Sequence, residues 1–309
     1  TPIVLEVQSR VARYAEDEDR IPAMAVAVGE AVDALKQVPV VFILCANGAH
    51  SIVRAITIPI RGRKRVLAAA QFELEPHLAF PIDELLLDFN LVAEVDGETE
   101  VLAVGVRRRH LEEQRAILAE AGIEVDGVNL DSVALTGLWH AGHKSAKGLE
   151  AVLHVREQGC CLGVLFNGKL AYFRNMPVDP AAIVDSPGRV AREIQNTLRA
   201  FLAKWRAGGE IDAIHVTGME LSPAELDGLS SALRLPVTSG VMAATIKGGG
   251  LIRAMEGAPA GPNAWEAVIG TAFAGAGGAL SLNFDEGGAT QANIARTAAP
   301  HLVYTSAMA

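Results

Sequence analysis

Few side chains in this sequence have the types and spacing that catalysis or metal binding requires. His140 and His143 are three residues apart, so on a helix they would share a face and could bind a metal ion. No Asp, Glu or Cys lies close in sequence to complete a ligand set, so we expect a surface loop here. The tract Gly248–Gly250 could cradle an anion, but it lacks the Lys-Ser/Thr pair of a P-loop and is also expected to be a loop.

Two basic clusters, Arg61–Arg65 and Arg107–Arg109, stand out in an acidic chain. They could meet anionic lipid head groups at a membrane surface. They could equally be solvated residues without a function, and both interpretations stay open. The first cluster coincides with the predicted start of a helix, where cations are unfavourable next to the helix dipole.

The elements that must position any site alternate between strands and helices. Strands are predicted at 3–7, 10–15, 38–44, 53–60, 85–95, 99–106, 123–130, 151–155, 162–166, 170–175, 211–216 and 236–238. Helices are predicted at 24–36, 61–78, 110–121, 190–207, 224–233 and 265–274, and residues 240–262 are predicted to be a loop. This alternation predicts an α/β fold.

Composition excludes several classes of protein. Half of the 309 residues are hydrophobic and only 20% are charged, which excludes a disordered chain and suggests roughly two domains. The net charge of −9 argues against nucleic-acid binding. The three cysteines lie in apolar stretches and are expected to be buried, reduced thiols. No apolar run approaches the roughly 20 residues that span a bilayer. Because no Met precedes Thr1, an upstream segment and a membrane anchor outside this chain both stay open.

A stretch of about 70 residues resembles a known family. The resemblance is carried, in order and spacing, by Ala68–Pro76, Phe80–Glu84, Leu87–Phe89, Val101–Gly105 and Leu111–Val128. These segments are similar to PilM, the actin-like protein of type IV pilus assembly, and to the cytoplasmic part of the type II secretion protein GspL. The similarity continues more weakly to Phe284.

The resemblance implies an actin-like α/β fold, with two RNase-H-like domains facing a cleft. The first domain would span residues 1–147 and carry a small α-β-β-α-β subdomain inserted at 61–127. The second domain would span 148–284, and residues 285–309 would form a flexible tail.

The resemblance also locates a nucleotide site, and the sequence departs from the family pattern there. Actin-like folds hold phosphates with two Gly-rich turns, each usually carrying an Asp for the metal. In the second turn His154 stands in place of the Asp and Arg156 in place of a Gly, with Gly159 following. The adenosine-side motif is reduced to Thr217 and Gly218, and the first turn would have to precede Thr1. We therefore expect a degenerate site with no ATPase activity, no metal, and no need for ATP and Mg²⁺.

The resemblance also implies a protein that this chain binds. PilM-like proteins bind a short peptide of the inner-membrane protein PilN, reading roughly Ile-Asn-Leu-Leu-Pro, beside the inserted subdomain. By motif position, the groove would be lined by Val53, Arg54, Ile56, Phe80, Pro81 and Asp88.

The short stretch Leu282, Asn283 and Phe284 resembles the core of that peptide. One interpretation is a docking segment that binds in cis or on a neighbouring chain, and the other is an ordinary closing strand.

The sequence therefore predicts a non-catalytic cytoplasmic scaffold. It would lie at the inner face of the inner membrane and bind a PilN-like protein and other platform subunits of a pilus or secretion machine, with self-association open. The alternative is a nucleotide-binding actin-like ATPase whose N-terminal phosphate loop is missing from this chain. An actin-like scaffold of another system is a third hypothesis.

Overall fold

The computed structural model describes residues 12–15, 19–35, 41–143, 147–156, 159–240, 266–275 and 282–284. Their contacts divide the chain into two compact units. The first unit takes the described residues of Thr1–His50, Val106–Gly142 and Ala243–Ala309, and the second those of Ser51–Gly105 and His143–Met242. The predicted domain limits at residues 147 and 284 stay a prediction.

Eight α-helices lie within the described residues. In chain order they are Arg20–Asp33 (α1), Arg63–Leu74 (α2), Arg108–Glu120 (α3), Asp131–Gly142 (α4), Ala182–Asp185 (α5), Pro187–Leu202 (α6), Pro223–Leu233 (α7) and Glu266–Gly275 (α8). Short 3-10 helices lie at Gly48–His50, Glu75–His77 and Ile82–Glu84.

Ten β-strands lie in the same part of the chain. They are Ile43–Ala46 (β1), Ile52–Ile58 (β2), Leu85–Val95 (β3), Glu98–Arg107 (β4), Gly127–Leu130 (β5), Leu149–Arg156 (β6), Gly159–Phe166 (β7), Lys169–Met176 (β8), Ile211–Thr217 (β9) and Val237–Ser239 (β10).

The first unit has its core around a parallel strand pair. β1 and β5 run in register from Ile43 opposite Gly127 to Ala46 opposite Leu130. Every residue of both strands is buried, which is the pattern of strands covered on both faces. Helix α8 packs against β1 and against α4, and α1 packs against α3.

The second unit contains a five-stranded sheet in the order β10-β9-β6-β7-β8. β6, β7 and β8 are successive antiparallel neighbours, whereas β9 joins β6 and β10 joins β9 in parallel. Helix α6 is amphipathic because its buried residues, among them Val190, Ile194, Leu198 and Phe201, recur at helical spacing.

The same unit contains a three-stranded sheet in the order β2-β4-β3. Helix α2 covers one face of this sheet, where a small apolar core forms. Its buried members are Ile56, Ile58, Val66, Ala70, Leu74, Val101 and Ala103. Because β4 is central, β2 and β3 are the two edge strands of this sheet among the described residues.

Side chains link the two sheets of the second unit at their edges. Asn90 Nδ2 on β3 donates to the backbone carbonyl of Leu170 on β8 over 2.7 Å. Lys169 Nζ donates in return to the carbonyl of Leu91 over 3.3 Å. Arg206 also forms an ion pair with Glu98, at 2.5 Å.

Most predicted elements are confirmed within a few residues, but the segment around the histidine pair is not. We predicted a surface loop there, whereas α4 continues to Gly142 and Trp139 is only 2% exposed. The cause is burial on all sides, since every residue from Ser132 to Trp139 is buried. A helix without a polar face shows no amphipathic period in its sequence.

Other differences concern the limits of elements. β2 belongs to the three-stranded sheet, so the subdomain sheet begins before residue 61. Helix α3 falls within the predicted insertion at 61–127, but it packs against α1 in the first unit. Residues 12–15 form no strand, whereas the strand at 3–7, the loop at 241–262 and the tail at 285–309 lie outside the described residues. Of the helices in the described ranges, none is both long and apolar enough to cross a membrane.

Candidate functional site

The predicted nucleotide-site residues meet at one end of the five-stranded sheet. His154 near the end of β6 is in register with Thr217 at the end of β9, and Arg156 is in register with Gly159 at the start of β7. Gly218 follows Thr217 directly. Sheet register thus brings all five predicted positions together.

His154 and Thr217 form a buried polar pair. His154 Nδ1 and Thr217 Oγ1 share a hydrogen bond of 2.7 Å, and both residues are buried. Burial, helped by the nearby positive charge of Arg156, lowers the pKa of His154 from 6.5 to about 3. The imidazole is therefore neutral at physiological pH, and its Nε2 has no hydrogen-bond partner among the described residues.

The Arg156 side chain is held within the sheet. Its Nη2 donates to Asn175 Oδ1 on β8 over 2.8 Å, so it reaches across β7. Burial raises the pKa of the neighbouring Cys160 thiol to about 11, with Arg156 opposing that shift. Cys160 is therefore a protonated thiol and a poor nucleophile at neutral pH.

The two glycines of the site are required by the sheet itself. Gly218 has φ +86°, and a Cβ there would lie 2.0 Å from the carbonyl oxygen of Val155. Gly159 has φ +121°, and a Cβ there would lie 2.7 Å from the carbonyl oxygen of Met176. The close approach that a phosphate would need from glycine is thus taken up by the protein's own backbone.

Among its described residues, the arrangement offers a neutral imidazole, a hydroxyl and a guanidinium, and no carboxylate. Hard oxygen ligands are what Mg²⁺ prefers. Within the described ranges, no three His, Cys, Asp or Glu side chains lie close enough to hold a metal ion. Sequence motifs missed Asn175, which only the register of β7 and β8 brings to Arg156.

The predicted partner-groove residues lie on different faces of the three-stranded sheet. Successive strand residues point to opposite faces, so Val53 lies on one face of β2 while Arg54 and Ile56 share the other. Ile56 is only 9% exposed and packs under α2, so it cannot touch a partner while the subdomain is folded. Arg54 is exposed and donates through Nη1 to the carbonyl of Val53 over 2.9 Å.

The remaining groove residues lie at the other edge of that sheet and in the loop before it. Asp88 is half-buried on β3, and its Oδ1 accepts from the backbone N–H of Phe89. Phe80 is 39% exposed, and Pro81 is exposed beside it. The structure therefore does not gather all six predicted residues into one groove.

The segment Leu282–Phe284 lies against β5 in the first unit. The Phe284 N–H donates to the carbonyl of Val128, and Asn283 Oδ1 accepts from the Val128 N–H, each over 3.2 Å. Leu282 and Phe284 are 4% and 1% exposed. The segment thus packs in cis, and a role as a docking peptide stays a prediction.

Comparison with known proteins decides the family. The sequence profile of type IV pilus assembly protein PilM matches residues 11–184, more than half of the chain. The chain belongs to the PilM family. The resemblance inferred from the segments between Ala68 and Val128 is thereby confirmed.

The PilM fold is shared over nearly the whole chain. One chain of a solved PilM-PilN type IV pilus biogenesis complex is 16% identical, with 88% of both chains covered and a TM-score of 0.63. At this identity the likeness shows the fold alone. Together with the family match, it confirms the predicted actin-like fold.

Two other solved structures are more distant from this PilM-family chain. The cytoplasmic domain of EpsL, an inner membrane component of the type II secretion system of Vibrio cholerae, is 17% identical, with 63% of this chain and 66% of that chain covered and a TM-score of 0.38. A Bacteroides thetaiotaomicron protein with an actin-like ATPase fold is 10% identical, with 72% and 77% covered and a TM-score of 0.41. Scores this low carry no argument. Among curated protein sequences, none matches this chain.

Proposed function

We propose that this PilM-family chain is a non-catalytic scaffold that binds a PilN-like partner. The assembly would be the inner-membrane platform of a type IV pilus or a type II secretion machine. The family match and the likeness to a PilM-PilN complex support a role in binding. The chain would lie on the cytoplasmic face of the inner membrane, next to its partner and other platform subunits.

The hydrogen bond between His154 and Thr217 is the observation that supports a non-catalytic role. It fills the position where an actin-like ATPase would hold a metal-binding acid with a buried, neutral pair. A nucleotide phosphate there would have to break that bond and displace backbone that Gly218 already packs against. The energetic cost of both changes weighs against ATP binding.

Calorimetric titration tests this part of the proposal. We expect no binding heat from Mg-ATP or from a non-hydrolysable analogue at high protein concentration. A PilN-like N-terminal peptide, injected into the same protein sample, should give heat and so serve as the positive control. Micromolar binding of Mg-ATP would instead favour the alternative of a nucleotide-binding actin-like protein.

For the partner, we propose that an extended peptide binds the second unit at the loop around Phe80 and the start of β3. Within the described residues β3 has a strand partner, β4, on one side only, and edge strands accept extended peptides through backbone hydrogen bonds. Phe80 and Pro81 offer exposed apolar surface for the peptide's side chains. Asp88 would contribute from β3.

The partner site is tested by Phe80→Asp. A carboxylate there should abolish binding of a labelled peptide carrying Ile-Asn-Leu-Leu-Pro, because it replaces an apolar contact with a solvated charge. Val184→Asp is the matched control, since Val184 is 40% exposed and lies on α5, outside the three-stranded sheet. Circular dichroism should be unchanged for both variants. Equal peptide affinity of the Phe80 variant and the native chain would reject this placement.

A further inference from the structure

Helix α2 carries an exposed face with an unusual composition. Its buried residues, Val66, Ala70 and Leu74, are spaced by four and point into the subdomain core. On the opposite side Arg65, Ala68, Phe72 and Glu75 are all exposed and are spaced by three, four and three, so they form one stripe. We call these four residues the α2 stripe.

Phe72 is the most unusual member of the α2 stripe. It is 74% exposed, more than any other large hydrophobic side chain in the described part of the chain. Glu75 follows the last residue of α2 with helical backbone angles of φ −51° and ψ −45°, so it continues the stripe. An exposed aromatic ring thus lies between a cation and a carboxylate on one helical surface.

The charges along α2 run against its dipole. The first turn contains Arg63, Lys64 and Arg65 and no acid, whereas the far end carries Glu73 and Glu75 and no base. An isolated helix is stabilised by the reverse order. The first turn also has no side-chain cap. Local helix stability therefore gives no reason for this arrangement.

We propose that the α2 stripe is a self-association surface, which binds the α2 stripe of a second copy of this chain in antiparallel orientation. Two-fold pairing would place Arg65 against Glu75 of the second copy and Phe72 against Ala68 of the second copy, each contact occurring twice. The small alanine lets the helices approach closely under the ring. Each cationic helix start then meets the acidic end of the other helix.

A second copy fits the stripe better than a membrane does. Glu73 and Glu75 follow Phe72 closely in sequence, and an anionic bilayer would repel both carboxylates. A parallel pair of helices would bring the three cations of each first turn together. The antiparallel two-fold pair instead places each cationic first turn near the carboxylates of the other helix and pairs Arg65 with Glu75 twice.

Arg65 is partly held in place for this contact. Its Nε and Nη2 both donate to the carbonyl of Arg61, over 3.1 and 2.8 Å, which limits the freedom of the side chain. The other guanidinium nitrogen remains for a carboxylate of the second copy. A standard interface buries about 800 Å² of surface on each partner. One helical face buries less surface than that, so we expect a weak dimer.

Charge exchange tests the proposed register. Arg65→Glu and Glu75→Arg should each weaken self-association of the full chain at least about tenfold in sedimentation at low salt, because each variant faces like charges in its own dimer. An equimolar mixture of the two variants should associate as well as the native chain, since both charge pairs become attractive in the mixed dimer. Glu94→Arg, an exposed charge reversal on β3, is the control and should leave association unchanged.

Several results would overturn the proposal. These are a native chain that stays monomeric at millimolar concentration, single variants that associate like the native chain, and a mixture that associates no better than either variant. Binding to vesicles of anionic lipid that Arg65→Glu abolishes, without self-association, would assign the stripe to a membrane. The peptide assay at Phe80 is independent, so failure here leaves the proposed partner binding intact.

Discussion

The end of the five-stranded sheet and the exposed face of α2 are both rich in polar residues, but the hydrogen bonding of these residues differs between the two regions. At the sheet end, His154 bonds to Thr217 and Arg156 to Asn175, all within the second unit. On α2, by contrast, Arg63, Lys64 and Glu73 are exposed and form no ion pair with the described residues. Apart from His154 Nε2, the first region pairs these polar groups with one another, whereas the second leaves its charges for other molecules.

This contrast indicates where a ligand can bind this PilM-family chain. A ligand at the sheet end would have to replace bonds that already exist, whereas a ligand at the α2 stripe or near Phe80 gains contacts at little cost to the fold. Substitutions at the sheet end should therefore change stability, and those on the exposed surfaces should change association alone.

The largest effect is expected at Gly218. Gly218→Ala would bring a Cβ to 2.0 Å from the Val155 carbonyl oxygen at φ +86°, so the backbone must move. We expect a loss of at least about 3 kcal/mol in the free energy of unfolding, measured by urea denaturation. Gly148→Ala is the control, because φ is +93° there but nothing lies within 4 Å, and strain alone costs about 1–2 kcal/mol. Equal losses would show that the sheet end is not tightly closed.

The next effect concerns the pH dependence of stability. The folded protein holds the pKa of His154 at about 3, whereas the unfolded chain binds the proton near 6.5. The stability present above pH 6.5 is therefore lost as pH falls. Between pH 7 and pH 5 the loss from this group should be about 2 kcal/mol.

His154→Gln removes that titration while keeping a group that can bond to Thr217. The variant should consequently lose about 2 kcal/mol less than the native chain over the same pH interval, measured by denaturant unfolding at each pH. Parallel pH profiles for the two proteins would mean that His154 is hydrated and that the site is open.

The smallest effect on stability is expected at Phe72. Because its ring is 74% exposed, Phe72→Gln should change the free energy of unfolding by less than about 0.5 kcal/mol. The same variant should weaken self-association, measured by sedimentation of the full chain. A loss of stability above about 1 kcal/mol would place the ring in the folded core instead of on the proposed surface.

The hairpins of the second unit could be predicted from sequence, because their signals are local. The turn Asn167-Gly168 separates two apolar runs, and β7 and β8 meet there as expected. The motif comparison likewise placed His154 and Thr217 in one site. Their direct hydrogen bond depends on the register of β6 and β9, which no local pattern specifies.

Two other features could not be predicted, for different physical reasons. Helix α4 is buried on every side, so its sequence has no polar face to reveal a period. From the motif we predicted that Gly218 would lie against a nucleotide, whereas the structure shows that it accommodates the Val155 carbonyl. A glycine in a sequence signals close approach but does not identify the group that approaches.

The reciprocal bonds of Asn90 and Lys169 have a consequence for the protein at high concentration. An uncovered strand edge is a template on which another chain can polymerise. Here the carbonyl groups of Leu170 and Leu91, on the edge strands β8 and β3, are already occupied by those two side chains. These two side chains thus leave fewer open backbone acceptors on these two edges for a neighbouring chain to pair with.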